Sequence, residues 1–237
     1  MNIKIVHLYP DLLNLYGDNG NISALTYRLA KRGITAEICE CHHLDTPDFA
    51  GTDIVFIGGG SDKELLSVNE RLLPYAKDLK AYIEDGGTLL AVCGGYQLLG
   101  SHFESGGKKI KSLELLDIFS TERKDRYIGN IVCESELLGT TLVGFENHSS
   151  VMNIGSYSPL ARVIKGNGND GVSGYEGVVY KNVIATFLHG PLLPKNPVLA
   201  DYILKNALSK KYGDVTLEPL DDKTELLAHN YIVENFS

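Results

Sequence analysis

Along the first hundred residues the spacing of apolar positions switches repeatedly between strand-like and helix-like. Residues 3–9, IKIVHLY, are rich in β-branched and apolar side chains and predict a first strand. PDLLNLYGDNGN follows as a loop or short helical turn, punctuated by glycine and asparagine. Ile22, Leu25 and Leu29 then share one face, which predicts a helix capped by Asn21, running to about Arg32 and stopped by Gly33. Residues 34–41 predict a second strand, and TDIVFIGGG at 52–60 a third that ends in a glycine turn. Residues 62–85 predict a helical region interrupted near Pro74 and terminated by Gly86 and Gly87. TLLAV at 88–92 is almost continuously apolar, as a central parallel strand covered on both faces requires. A helix is predicted to begin near Gly94 or Gly95. This alternation predicts an open, mostly parallel α/β sheet flanked by helices.

The pattern changes after residue 112. Short strand candidates NIVCE, TLVGFE and GVVY are separated by glycine and asparagine turns, which predicts an antiparallel extension over 112–180. GGKKIK at 106–111 and KGNGNDGVSG at 165–174 read as surface loops. VIATFLHG at 183–190 returns to strand character, and helices are predicted near 197–210 and 224–235. The last of these, KTELLAHNYIVENF, reads as an amphipathic packing helix or as part of an interface. No repeat, low-complexity tract or linker divides the chain. A single domain over 1–237, with its C-terminal helices packing on it, is the expected partition.

Composition narrows the function classes. The chain has 237 residues and a formal net charge of -8, with no long basic block, which argues against nucleic acid as a partner. No apolar run approaches a membrane span and MNIKIVHLYP lacks a signal-peptide pattern, so a cytoplasmic location is expected. The 4 cysteines, Cys39, Cys41, Cys93 and Cys133, are too few for a disulfide scaffold. CECHH at 39–43 has ligand types that bind zinc, but no second cluster accompanies it. Cysteines on a strand followed by histidines in a turn is the simpler reading, and no metal is expected.

The informative segment is LLAVCGGYQLLG at 89–100. Cys93 stands where a buried strand meets a helix, the edge at which ligands gather in open parallel sheets. Gly94 and Gly95 permit a sharp turn that lifts the sulfur above the sheet, as in a nucleophile elbow with cysteine replacing serine. A thiol nucleophile needs a base. Of the 7 histidines, His189 is best placed, ending the apolar strand VIATFL before Gly190 and Pro191. His148 in FENHSS is the second choice. Acyl transfer also needs backbone donors for an oxyanion. The N–H of Gly94 follows the nucleophile directly, and Gly59 or Gly60 in IGGGSD could supply the other. GGGSD lacks the lysine and length of a P-loop. Tyr96 and Gln97 either line a pocket or pack and cap the helix.

Taken together, LYPDLLNLYGDNGNISAL, FIGGGSD, CGGYQLLG, GFENH and FLHGPLLPKNP resemble the class I, triad-type glutamine amidotransferases. They are similar in particular to the cobyric-acid-synthase-like branch and, within it, to the glutaminase subunits of lipid II isoglutaminyl synthases. The likeness spans residues 8–197. It implies that Cys93 attacks the carboxamide of L-glutamine, that His189 serves as base and then acid, and that water releases glutamate and ammonia. It implies no cofactor in this chain. It also implies a Mur-ligase-like partner subunit that uses ATP and Mg to activate the D-glutamate α-carboxylate of lipid II at the inner membrane face and forms D-isoglutamine with the ammonia. Arg126 in TERKDRYIGN is then the arginine expected at the glutamine carboxylate or channel mouth, with Arg123 as local competitor. Asn19, Gly20 and Asn21 lie in the family-like N-terminal loop.

One departure stands out. Triad enzymes carry a glutamate shortly after the histidine, whereas HGPLLP has only Gly190, Pro191 and Leu192 there. A carboxylate would have to come from elsewhere, such as Glu146, or from a partner subunit. Residue chemistry alone leaves three other readings open: a thiol peptidase on the same elbow, an amidotransferase for a cobyrinic-type acceptor, and a non-catalytic assembly subunit, which an occluded pocket would favour.

Overall fold

A computed structural model of the chain describes residues 1–236. The expected α/β architecture is present as two sheets. The first joins β1 (Asn2–Leu8), α1 (Asn19–Ala30), β2 (Thr35–Cys41), β3 (Ile54–Ile57), α2 (Asp62–Leu72), α3 (Ala76–Glu84), β4 (Thr88–Val92) and the short α4 (Gly94–Leu98). The second is built from β5 (His102–Ser105), β6 (Lys108–Lys111), β7 (Phe119–Ser135), β8 (Thr140–Asn153), β9 (Ala161–Lys165) and β10 (Tyr175–Glu176). The chain then returns to the first sheet with β11 (Val178–Tyr180) and β12 (Val183–Thr186), and ends in α5 (Pro197–Tyr212) and α6 (Lys223–Phe236).

The first sheet has the order β11-β12-β4-β3-β1-β2, and every pair is parallel except β11 with β12. Every side chain of β3 and β4 is buried, which is why their apolar runs show no alternation. The interruption near Pro74 is a 3-10 turn, Leu73–Tyr75, between α2 and α3. Ser61 and Glu64 form a capping box that fixes where α2 begins, directly after the glycines that end β3.

Several expectations need correction. The first helix begins at Asn19, so Asn21 lies inside it; its buried side chain accepts a hydrogen bond from Leu193 N–H at 2.8 Å. GGKKIK belongs to a β-hairpin, since Lys108–Lys111 pairs with His102–Ser105. The short strands expected in the middle are parts of one long antiparallel ribbon, with Phe119–Ser135 paired along Thr140–Asn153. The exposed charged run of β7 masks the alternation that would have disclosed its length. The pairing is broken by a bulge between Glu122 and Tyr127.

The ribbon meets the first sheet beside the end of β12. Phe145 and His189 exchange backbone hydrogen bonds of 3.2 and 3.0 Å, and Gly144 lies so close to Leu188 that a Cβ would stand 2.7 Å from its side chain. Asn196, buried at the start of α5, ties this joint together. Its Oδ1 accepts from Val143 N–H at 2.9 Å, and its Nδ2 donates to the carbonyls of Val143 at 2.8 Å and Leu192 at 2.7 Å. The C-terminal helices pack on the same body. Arg28 of α1 pairs with Asp201 of α5 and with Asp222, while His229 of α6 bridges Lys195 O and Thr141 Oγ1. No helix among the described residues is long and apolar enough to cross a membrane. Asn196→Ala would strand three buried backbone groups, and is expected to lower stability by about 2–4 kcal/mol, read as a shift in the urea midpoint at unchanged slope.

Candidate active site

Four neighbouring strands deliver the site. The segment after β1 carries Asp18, the turn after β3 is Gly58–Gly60, Cys93 follows β4, and His189 lies just beyond β12. All four lie at the C-terminal edge of the parallel sheet. β1 and β3 flank the point where strand order reverses, which is where open sheets form ligand crevices.

Cys93 is a strained residue with φ 51° and ψ −106°. An L-residue there needs support from its surroundings. Cys93 N–H donates to Thr186 O at 2.8 Å, and Gly95 N–H donates to Gly58 O at 3.1 Å. A Cβ at Gly95 would stand 2.6 Å from Ile57 O, so only glycine lets α4 start this close to β3. The sharp turn expected at Cys93 is present, with the strain on the cysteine itself.

His189, Cys93 and Asp18 converge around Gly59. A methyl group at Gly59 would lie 2.8 Å from His189 Cε1, 3.0 Å from Cys93 Cβ and 3.4 Å from Asp18 Oδ2. His189 and Asp18 are both fully buried, with His189 Nδ1 3.6 Å from Asp18 Oδ1. The other Asp18 oxygen accepts a hydrogen bond from Gly59 N–H at 2.7 Å. Burial alone would hold His189 neutral; Cys93 and Asp18 outweigh it and push the imidazole pKa up to about 10. Cys93 and Asp18 thus favour the protonated imidazole, and His189 shares the space around Gly59 with Cys93.

Gly94 and Gly60 present free donors next to this cluster. Neither backbone N–H has an acceptor among the described residues, and a Cβ at Gly94 would lie 3.4 Å from Gly60 N. Gly59 is corrected as an oxyanion donor, because its N–H is already taken by Asp18.

Residues 4–197 match the family model of the CobB/CobQ-like glutamine amidotransferase domain. The chain belongs to that family. It is 39% identical over 233 residues to the Staphylococcus aureus protein named lipid II isoglutaminyl synthase (glutamine-hydrolyzing) subunit GatD, covering 98% of this chain and 95% of the relative. It is also 39% identical over 226 residues to the Streptococcus pneumoniae protein of the same name, covering 93% of this chain and 86% of that one. A crystal structure titled as a glutamine amidotransferase shares the fold, with a TM-score of 0.58 at 19% identity over 85% of this chain and 98% of that one.

The remaining expected residues of this amidotransferase divide into rim and interior. Arg126 is exposed in the β7 bulge, and its guanidinium donates to Asn147 Oδ1 and Asn147 O, each at 2.9 Å. Asn147 Nδ2 in turn donates to the Tyr16 hydroxyl, and the Tyr16 ring stands edge-on to His189 with centroids 5.4 Å apart. Arg126 is thus linked to His189 through two residues. Its competitor Arg123 is stacked over the Tyr127 ring instead.

Gln97 lies beneath the elbow, its Oε1 accepting from Ser120 Oγ at 3.2 Å and Ser150 Oγ at 2.9 Å; that oxygen is unavailable to a ligand. Tyr96 is fully buried against Phe187 and serves packing.

His148 stacks on Phe187 at 3.8 Å and donates its Nδ1 proton to Ser150 O; burial pushes its pKa down to about 3, so it takes up a proton too weakly to rival His189. Glu146 is corrected as third carboxylate: the backbone N–H groups of Asn167 and Gly168 and the Asn167 side chain hold it on another loop. Asp18 was missed by the sequence reading. It precedes α1 in the N-cap position, where an acidic residue reads as a cap, yet its side chain makes no cap hydrogen bond.

Other histidines have structural partners. His42 and His43 both face Asp11, and no group of three or more His, Cys, Asp or Glu among the described residues is arranged to hold a metal ion.

Cys93 is only 6% exposed and His189 is fully buried, so this site is covered, and Tyr16 is part of the cover. Tyr16 has φ 59°, which glycine adopts without strain. Tyr16→Gly is therefore expected to speed alkylation of Cys93 by iodoacetamide about tenfold, equivalent to ~1.4 kcal/mol of opening free energy. An unchanged rate would mean that access is controlled elsewhere.

Proposed function

We propose that this chain is the glutaminase subunit of a lipid II-amidating synthase. The observation that carries the chemistry is the strained Cys93 held beside the buried His189. In the proposed reaction the Cys93 sulfur adds to the side-chain carbonyl carbon of L-glutamine. The N–H groups of Gly94 and Gly60 receive the oxyanion. Collapse expels ammonia, which takes its proton from His189, and leaves a γ-glutamyl thioester on Cys93. His189, now neutral, accepts a proton from water as it attacks the thioester, and glutamate leaves. In this reading Arg126 at the rim pairs with the glutamine α-carboxylate. Residues 1–237 act here as one amidotransferase unit.

The acceptor half belongs to a second protein in this reading. A Mur-ligase-like subunit in the cytoplasm, at the inner membrane face, would use ATP and Mg to activate the D-glutamate α-carboxylate of lipid II, and ammonia from this chain would convert it to D-isoglutamine. The near-complete coverage of the two bacterial relatives supports this acceptor over a cobyrinic one. The family match supports an amide donor over a peptide bond. A non-catalytic assembly role leaves the strain at Cys93 and the buried ionic cluster without a purpose, although the site is covered.

The test is glutamate release from L-glutamine by the wild-type chain and by Cys93→Ala, with and without the synthetase partner. Turnover that falls at least ~10³-fold in Cys93→Ala is expected. Undiminished turnover in that variant would refute the mechanism, and turnover of peptides in place of glutamine would favour the peptidase reading.

A further inference from the structure

We propose that Glu176 and Thr186 act together as positioning residues, a buried joint between the two sheets that sets where Cys93 and His189 stand. This role rests on the glutaminase reading above. Both side chains act through the backbone that carries Cys93 and His189 rather than on the imidazole or the sulfur.

β12 ends at Thr186, and the ribbon takes hold of the chain again at His189, whose N–H donates to Phe145 O at 3.0 Å. Phe187 and Leu188 cross the gap, and both are fully buried. Their N–H groups are received by side-chain oxygens instead of a neighbouring strand. Phe187 N–H donates to Glu176 Oε1 at 2.7 Å, and Leu188 N–H donates to Thr186 Oγ1 at 3.1 Å. The Thr186 hydroxyl in turn donates to Glu176 Oε1 at 2.6 Å. Buried backbone donors need acceptors, so these two oxygens dictate the path from β12 to His189.

Thr186 also holds the turn at Cys93. Its carbonyl accepts Cys93 N–H at 2.8 Å, which anchors a residue whose φ is 51°. One residue therefore fixes the strained turn by its backbone and the approach to His189 by its side chain.

Glu176 reaches this point from the other sheet. It lies in β10, paired with Ala161 of β9, and its own carbonyl accepts Leu160 N–H at 3.0 Å. Gly177 lets the two sheets come close, since a Cβ there would stand 2.7 Å from Ala185 O. Asn169 grips Gly177 on both sides, accepting its N–H at 2.9 Å and donating to its carbonyl at 3.0 Å. The same Asn169 oxygen accepts the hydroxyl of Tyr96, in the helix that follows Cys93, at 3.3 Å. Glu176 is fully buried, and burial pushes its pKa up to about 7. A carboxyl group there is costly unless its oxygens are used, and Oε1 receives both donors of the joint.

Substitutions in the full chain, assayed with its synthetase partner, separate positioning from folding. Glu176→Ala removes the acceptor of Phe187 N–H, and Thr186→Val that of Leu188 N–H. Each is expected to lower kcat per folded chain about 10²-fold, with KM changed less than about threefold. Glu176→Gln and Thr186→Ser keep an acceptor oxygen, and each is expected to recover at least about tenfold of that loss. A role in folding alone would leave kcat per folded chain unchanged. If Glu176→Ala or Thr186→Val keeps kcat within about threefold, or if the conservative variant does no better than the disruptive one, the proposal is overturned.

Should Glu176→Ala and Thr186→Val both fail to fold, amide hydrogen exchange of the unmodified protein decides. Phe187 and Leu188 are expected to exchange as slowly as Ile184 within β12, and exchange about 10²-fold faster refutes the joint. Failure of the glutaminase reading looks different. The wild type would then turn over no glutamine, yet alkylation of Cys93 by iodoacetamide would still change rate in Glu176→Ala and return toward the wild-type rate in Glu176→Gln.

Discussion

At Gly59 there is room for a hydrogen atom and nothing larger. His189 Cε1, Cys93 Cβ and Asp18 Oδ2 would all stand within 3.4 Å of a methyl group there. Cys93, His189 and Asp18 come from three different strand ends, and this one residue is where they meet. Its carbonyl and amide are both held by the segment that carries Leu15 and Asp18. Their spacing thus depends on a backbone-to-backbone approach that any side chain would prevent. The closeness also gives the site its electrostatics: Cys93 and Asp18 this near outweigh burial and raise the affinity of His189 for a proton.

The sheet explains why such closeness is affordable. β3 and β4 are paired in parallel and buried on both faces, so the turns that follow them have fixed origins. Strain at Cys93 can be held because Cys93 N–H is anchored to Thr186 O, on the strand that leads to His189. The ribbon adds a second constraint through the backbone exchange between Phe145 and His189. His189 is therefore fixed from its sheet side by β12 and from its outer side by β8. Arg126 lies at the rim, where the β7 bulge and the segment bearing Tyr16 meet through Asn147.

Much of this was legible in the residue pattern. A continuously apolar strand followed by Cys-Gly-Gly marked the tight turn at Cys93, and an apolar strand ending in His-Gly-Pro put His189 at the same sheet edge, because strand ends in parallel sheets face one crevice. What stayed hidden has a common cause: long-range pairing leaves no local mark. Asp18 carries the signature of a helix cap, and nothing near it in sequence discloses that it turns toward His189. Gly59 and Gly60 are equivalent as letters, and only the Asp18 contact consumes one N–H and spares the other. Gln97 follows the elbow as a pocket residue would, yet two serines from the ribbon occupy its oxygen. The ribbon itself was underestimated because its exposed half is charged, without an apolar alternation to follow.

The central claim is that Cys93, held in this strained turn beside His189, forms the covalent intermediate. The most direct measurement is acid quenching of the chain, with its synthetase partner, shortly after mixing with L-glutamine, followed by intact-protein and peptide mass spectrometry. The account predicts a γ-glutamyl adduct on the Cys93 peptide that disappears as glutamate is released and never forms in Cys93→Ala. Glutamate release without any adduct on Cys93, or an adduct on another residue, would contradict it.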